Sequence, residues 1–418
     1  MIEEFKPVLR NSNFVYIWLS QILSQLTINI MNFVLLIQLF EKTGSTIATS
    51  FLWVSYALPA ILIGPLAAAT VDMLDRRKML MATNLLQGVS IFLYALSHRT
   101  SLFLLYGIVI TYSFLNQFYV PAEAATLPAV LSKKMLPQGN GLFFLTQQAA
   151  LIVGFGIAGF LNNFLGFDRT LYLCSALLLA AFISVAFLPQ LKAEQDIPKD
   201  FEGALAKFFG RIVEGYKFIK ENKSILAPFA ILMGLQVSLA VIVIDVPVIA
   251  TDILKISLNL AGLYIVVPVA VGAALGALII PKLIRRGWRK KRLIENSLIL
   301  MTVLFAIFTF AVSFLPVLLR HIVGLMVILL IGLAFVGILI PAQTFLQEAT
   351  PGGFRGRVFG NFWFLVTIAT IFPTIFAGTV TELFGIRFLL VLLGGFAMVA
   401  LLFSKKYGYK IISNSAGV

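Results

Sequence analysis

Twelve times along its 418 residues the sequence runs for 19 to 27 residues with almost no charge before a short polar or Gly/Pro-containing stretch interrupts it. About 20 apolar residues in helical form cross a hydrocarbon layer of roughly 30 Å, so each run has the length and chemistry of a membrane span. The runs lie at about 14–40, 46–71, 79–97, 102–122, 139–162, 170–189, 225–251, 258–284, 293–315, 320–346, 358–381 and 386–404. Lipid offers no partner to a bare N–H or C=O, so the spanning form must close its own hydrogen bonds. A barrel strand would alternate apolar and polar residues. These runs are apolar on every side, which predicts an all-α membrane protein. Only 12% of the residues are charged, about half the share in a soluble domain.

The distribution of Lys and Arg sets the expected orientation. If the N-terminus is cytoplasmic, only Lys42, Arg99, Arg169, Lys255, Arg320 and Arg387 of the 32 basic residues fall in external loops. The other 26 lie on the cytoplasmic side, as the positive-inside rule requires. The expectation is a multi-pass protein of the cell membrane with both termini in the cytoplasm. The net charge of +14 is then explained by topology and by attraction to anionic lipid, and nucleic acid is not an expected partner.

One long polar stretch, 190–224, separates six runs from six. Within it Phe201, Leu205, Phe208, Ile212, Tyr216 and Ile219 recur at helical spacing opposite Lys207, Arg211 and Glu214. This pattern predicts an amphipathic helix lying on the cytoplasmic leaflet; a plain solvated linker is the alternative. The expected organisation is an N-terminal six-helix bundle over 1–189, a connector over 190–224, and a C-terminal six-helix bundle with a short tail over 225–418. The halves echo one another: Pro121-Ala122-Glu123 near the end of the fourth run matches Pro341-Ala342-Gln343 near the end of the tenth, each followed by a second proline, Pro128 or Pro351. Two pseudo-symmetric six-helix sets are a recurrent plan among carriers that alternate access to a midplane site.

At several points the chain resembles the major facilitator superfamily and, within it, the macrolide-efflux type of exporter. The similar stretches are Glu41-Lys42-Thr43-Gly44-Ser45, Gly64-Pro65 with Asp72 and Asp75-Arg76-Arg77-Lys78, Glu221-Asn222-Lys223, and Gln343 with Gln347-Glu348 ahead of Arg355-Gly356-Arg357-Val358-Phe359. The resemblance implies the major facilitator fold, a cavity lined by the first, fourth, seventh and tenth helices, and gating charges at Asp72, Arg76 and Arg77. Where the family's antiporter motif has Gly-Pro and Gly-Gly, this chain has Gly154-Phe155 and Ala158-Gly159.

Polar residues are costly in hydrocarbon unless they face protein or water, so those inside the runs are site candidates. Gln21, Gln25, Asn29 and Asn32 share an arc of about 80° on one helix face. Tyr112, Asn116, Tyr119 and Glu123 share another, and the tenth run adds Gln343 and Gln347. With Trp363, these form the expected substrate cavity, Glu123 apart. The same amides also suit interhelical hydrogen bonds, worth about 0.6 kcal/mol each.

Coupling to protons needs a carboxylate that moves between wet and dry surroundings, because burial disfavours its charged form. Asp245, deep in the seventh run beside Pro247, is the first candidate and Glu123 the second. Two structural readings stay open: Asp245 at the outer interface, and Glu123 paired with Lys133 or Lys134.

Other chemistry is sparse. No Gly-x-x-x-x-Gly-Lys-[Ser/Thr] loop occurs, and His98 and His321 are expected to be exposed histidines at helix ends rather than metal ligands. Neither a cofactor nor an enzymatic activity is expected. The expected function is proton-coupled efflux of a small lipophilic or amphipathic, drug-like compound by a monomer in contact with membrane lipids. A carrier of an endogenous lipid-like or siderophore-like molecule is the alternative, and a non-transporting sensor is a third reading.

Overall fold

The computed structural model describes the chain apart from residues 1, 72, 99–100, 192–209, 211, 212, 215, 218 and 413–418. Among the described residues, ten helices are long and apolar enough to cross a membrane, from Ser12–Thr43, the first span, to Ile386–Lys405, the twelfth. The remaining two of the expected twelve are broken. The second is divided at Ile63 into Thr46–Leu62 and Gly64–Val71. Proline has no N–H and disfavours helical backbone in the residue before it, so Gly64-Pro65 is where such a break belongs. Hydrogen bonds from Ile63 N to Pro59 O and from Ala67 N to Ile63 O keep it narrow. The seventh is a pair, Pro228–Ile244 and Val246–Leu254, bent by 57°. Pro247 cannot donate to Val243, and the chain turns at Asp245 (φ −94°, ψ 2°) before continuing as a π-helix over Ile249–Leu254.

By contacts the chain forms two units, Met1–Thr43 with Phe51–Phe208, and Gly44–Ser50 with Phe209–Val418. In the first, the third span (Arg76–Ser97) and the sixth (Phe167–Ala186) meet at Gly88, whose carbonyl accepts from Ser175 Oγ at 2.8 Å. The first span meets the fifth (Leu136–Leu165) at Gly154, where a Cβ would sit 2.6 Å from that of Asn29.

In the second unit the eighth span (Leu258–Arg285) and the tenth (Val317–Ala349) approach backbone to backbone. A Cβ on Gly272 would lie 1.8 Å from Leu329 O, and one on Gly332 would lie 2.0 Å from Val269 O. The internal echo extends to Gly166 and Gly385. Each has positive φ and ends one span directly before the next, its N–H bonded to Asn162 O or Thr381 O.

The connector expected over 190–224 lies largely outside the described residues, including Phe201, Leu205, Phe208 and Ile212. Of the rest of its apolar positions, Tyr216 is exposed and Ile219 is buried.

Candidate functional site

Two stripes of side chains leave the first span in different directions. On one, Gln21 is buried and its Nε2 donates to Phe143 O of the fifth span at 3.2 Å, while Asn29 Nδ2 donates to Gln25 O of its own helix. Gln25 and Asn32 are half-buried. The other stripe, Ser20, Ser24 and Thr27, points into the first unit and was not singled out from the sequence. Asn84 Nδ2 of the third span donates to Ser20 Oγ at 3.0 Å, and Ser20 Oγ lies 3.4 Å from the Tyr119 hydroxyl. Tyr119 in turn donates to Glu123 Oε1 at 2.9 Å.

This chain of side chains is sealed: Ser20, Asn84, Tyr119 and Glu123 are all buried. Ile17, Leu80 and Val185 pack around Tyr119 in one apolar cluster. Among the described residues Glu123 is thus bonded to a tyrosine, and Lys133 and Lys134 are exposed.

Farther along the fourth span (Phe103–Val130), Tyr112 is fully buried and its backbone carbonyl accepts from Gln87 Nε2. Asn116 is half-buried and donates to the hydroxyl of Tyr56, whose own carbonyl accepts from Ser113 Oγ. Tyr56 is a second residue that the sequence did not single out. In the tenth span Gln343 is half-buried and Gln347 exposed, and Trp363, on the eleventh (Gly352–Phe384), is exposed with its ring edge-on to Phe362.

The second unit places its acid differently. Asp245 has no exposed surface. Neither of its carboxylate oxygens has a hydrogen-bond donor. The hydroxyl of Thr381 faces it without completing a bond of ordinary geometry. Around it, Thr49 Oγ1 lies 3.4 Å from Ile244 O, Thr46 Oγ1 donates to Gly378 O at 2.6 Å, and Ser50 Oγ donates to Thr374 O at 2.9 Å.

At the end of the first unit that carries the basic loop, Arg76 is buried and donates to Ala125 O at 3.1 Å, and Arg77 donates to Ala186 O. Asp75 caps the third span through Lys78 N. Asp72 lies outside the described residues. The expectation of two exposed histidines is corrected for His98. It is buried, its Nε2 lies 2.6 Å from Asp168 Oδ1, and its ring packs on Phe167. Nothing in the sequence pointed to Asp168, whose carboxylate takes the place of water as the ring's polar partner while Tyr94 and Phe167 cover its faces. His321 is half-buried against Leu254 O.

A bundle of broken and unbroken apolar spans with buried polar groups between them fits the frame of a carrier. Residues 17–374 match the profile of the Major Facilitator Superfamily, and the chain belongs to that family, whose members transport rather than transform. It is 23% identical over 406 residues, 92% of each chain, to the uncharacterized MFS-type transporter YfiS of Bacillus subtilis (strain 168). It is 22% identical over 219 residues to macrolide efflux protein A of Streptococcus pyogenes, spanning 51% of this chain and 53% of that one. The match to the transporter YjbB of Bacillus subtilis likewise spans about half of that protein, 47%. Among solved structures, the nucleoside transporter NupG superposes with a TM-score of 0.69 at 16% identity, over 93% of this chain and 97% of that one. A bacterial homolog of the human lysosomal transporter Spinster gives 0.73 at 13%, over 94% and 96%. These neighbours share the fold.

Proposed function

We propose that this secondary transporter exports a small lipophilic or amphipathic compound across the cell membrane in exchange for protons, by alternating access, with both termini in the cytoplasm. The observation that carries the reading is Asp245: a carboxyl group with no exposed surface and no completed hydrogen bond on either oxygen, the Thr381 hydroxyl alone facing it among the described residues. A charge so placed is strongly disfavoured, so the group is best suited to a protonated state when enclosed and to release of the proton when water reaches it. Glu123, bonded to Tyr119, is a second proton carrier on this reading. The residues with surface to offer a compound are the half-buried Gln25, Asn32, Asn116 and Gln343 and the exposed Trp363. They are amides and one aromatic ring, and they favour a neutral or weakly charged substrate over a polycation. The partial likeness to macrolide efflux protein A supports the drug-like class. Asp72, Arg76 and Arg77 are assigned to gating.

Proteoliposomes acidified on one side test the reading, with a fluorescent macrolide and ethidium as probes. An exchanger accumulates the probe on the acid side. Asp245→Asn is expected to abolish the gradient-driven component and to leave downhill exchange in place. Undiminished gradient-driven accumulation by this variant at every pH removes Asp245 from coupling.

A further inference from the structure

We infer that the loop joining the eighth and ninth spans, with the exposed faces that run from it along both spans, is a binding site for a phospholipid that carries two phosphates, diphosphatidylglycerol. Neither Asp245 nor Glu123 takes part, so the site stands independently of proton exchange.

The loop is closed by its own backbone. Gly287 takes a φ of +87° just past the eighth span, and the N–H groups of Arg286, Gly287 and Trp288 are bonded to Lys282 O, Ile284 O and Leu283 O at 3.0, 3.0 and 3.1 Å. A left-handed residue here lets the turn satisfy the last free carbonyls of the helix, and the ninth span (Lys290–Phe310) begins three residues later.

Most of the charge on this turn is unspent. Of the seven basic residues from Lys282 to Arg292, Lys290 is paired with Glu348 and Lys291 with Glu295. The other five, Lys282, Arg285, Arg286, Arg289 and Arg292, are exposed, and their side chains have no carboxylate or hydrogen-bond acceptor among the described residues. The matching loop of the first unit does the opposite, spending Arg76 and Arg77 on the carbonyls of Ala125 and Ala186. Trp288 stands among the five cations, 45% exposed and with no acceptor for its indole N–H among the described residues. An indole so placed suits the boundary between headgroups and acyl chains.

Next to the cations the two spans present carbon. Val271, Leu275, Leu278, Lys282 and Arg285 follow one another at intervals of four, three, four and three, and all are exposed. On the ninth span Arg292, Asn296, Ile299 and Val303 follow at four, three and four and are likewise exposed. Residues so spaced share one helix face, so each span carries an outward stripe of aliphatic side chains that ends in cations. Ile280 and Ser297 both reach Gly337 of the tenth span, which holds the two spans together at this end. A lipid with one phosphate neutralises one such stripe end. A lipid whose two phosphates are joined through glycerol, with four acyl chains, covers both.

Native mass spectrometry of the full chain in detergent tests the site, with diphosphatidylglycerol and phosphatidylglycerol added at equal phosphate. Wild type is expected to retain one diphosphatidylglycerol in preference. The double substitution Arg285→Gln with Arg289→Gln should raise the Kd roughly 30-fold, about fivefold for each cation lost. Lys133→Gln with Lys134→Gln removes the same charge from exposed lysines of the first unit and should leave the Kd unchanged. In phosphatidylethanolamine nanodiscs, brominated diphosphatidylglycerol should quench tryptophan fluorescence with a component that saturates at one lipid per chain, and Trp288→Phe should remove that component. Equal affinity per phosphate for the two lipids, or an equal loss in the Lys133/Lys134 variant, is the mark of diffuse attraction to any anionic surface and overturns the site. Displacement of the lipid by inorganic pyrophosphate at equal concentration also overturns it, because the chains would then contribute nothing.

Discussion

Counting back from the paired prolines Pro121 and Pro341, Tyr112 of the fourth span corresponds to Gly332 of the tenth, Asn116 to Val336, Tyr119 to Leu339 and Glu123 to Gln343. In the first unit these positions carry a hydrogen-bonded polar chain that reaches the first and third spans. In the second, three of them are stripped to glycine and aliphatic carbon, Gln343 alone staying polar, and the eighth span approaches within contact of the Gly332 backbone. A duplicated frame has thus been filled in two ways. One half bridges its helices here with side chains; the other closes them directly and, among the described residues, places a buried acid, Asp245, at a helix break.

The largest expected effect follows from that closeness. Gly272→Ala or Gly332→Ala would place a methyl group about where a carbonyl oxygen of the facing helix now lies. Backbone cannot yield as a flexible side chain can, so each should destabilise by about 3 kcal/mol or more, the upper end for overpacking. In the first unit the nearest obstacle to Gly139→Ala is a mobile methyl of Leu131, and the effect should stay below about 1 kcal/mol. Thermal unfolding in detergent, followed by tryptophan fluorescence, checks the pair. Equal effects in the two halves would erase the distinction.

The next comparison turns on sign. Asp245 is buried without a donor, so Asp245→Leu should leave stability unchanged or raise it by about 1–3 kcal/mol, the usual penalty of an unsatisfied polar group. Asn84→Leu removes the donor to Ser20 and should cost about 1 kcal/mol. The same melting experiment measures both. A loss of stability in Asp245→Leu would mean that the carboxyl has a partner and would weaken its assignment as a proton carrier.

The frame was legible because the constraint that builds it is one-dimensional: a span must be long and apolar, and length and hydropathy are read directly along the chain. The bend in the seventh span was half legible, since Pro247 beside Asp245 was visible but the 57° turn was not. The break at Ile63 passed unread inside one apolar run although Gly64-Pro65 marks it.

The polar core was harder to read. The amides at Gln21 and Asn29 attracted attention, yet their hydrogen bonds go to carbonyls of the fifth span and of their own helix. Ser20 and Ser24 carried no signal, because a serine in an apolar helix can bond its own preceding turn and pass unnoticed. What gives Ser20 meaning is Asn84, 64 positions away, and no local pattern encodes such a pairing. The same holds for His98, whose partner Asp168 lies beyond two further spans.

The smallest expected effect contrasts the basic residues at the start of the third and ninth spans. Arg76 is buried and spends its guanidinium on the Ala125 carbonyl. Lys290, at the start of the ninth span (Lys290–Phe310), is paired with Glu348, and that carboxylate is 61% exposed. An exposed pair loses most of its Coulomb attraction to water and to the entropy of holding two long side chains. Lys290→Ala should therefore change stability by no more than about 0.5 kcal/mol, and even that difference should vanish near 1 M salt, where screening acts over about 3 Å. The effect of Arg76→Ala should persist at the same salt, because its hydrogen bond to a backbone carbonyl lies out of reach of mobile ions. A salt-insensitive loss in Lys290→Ala would show that the second unit also holds its basic end by buried contacts, and the contrast between the halves would then be confined to their cores.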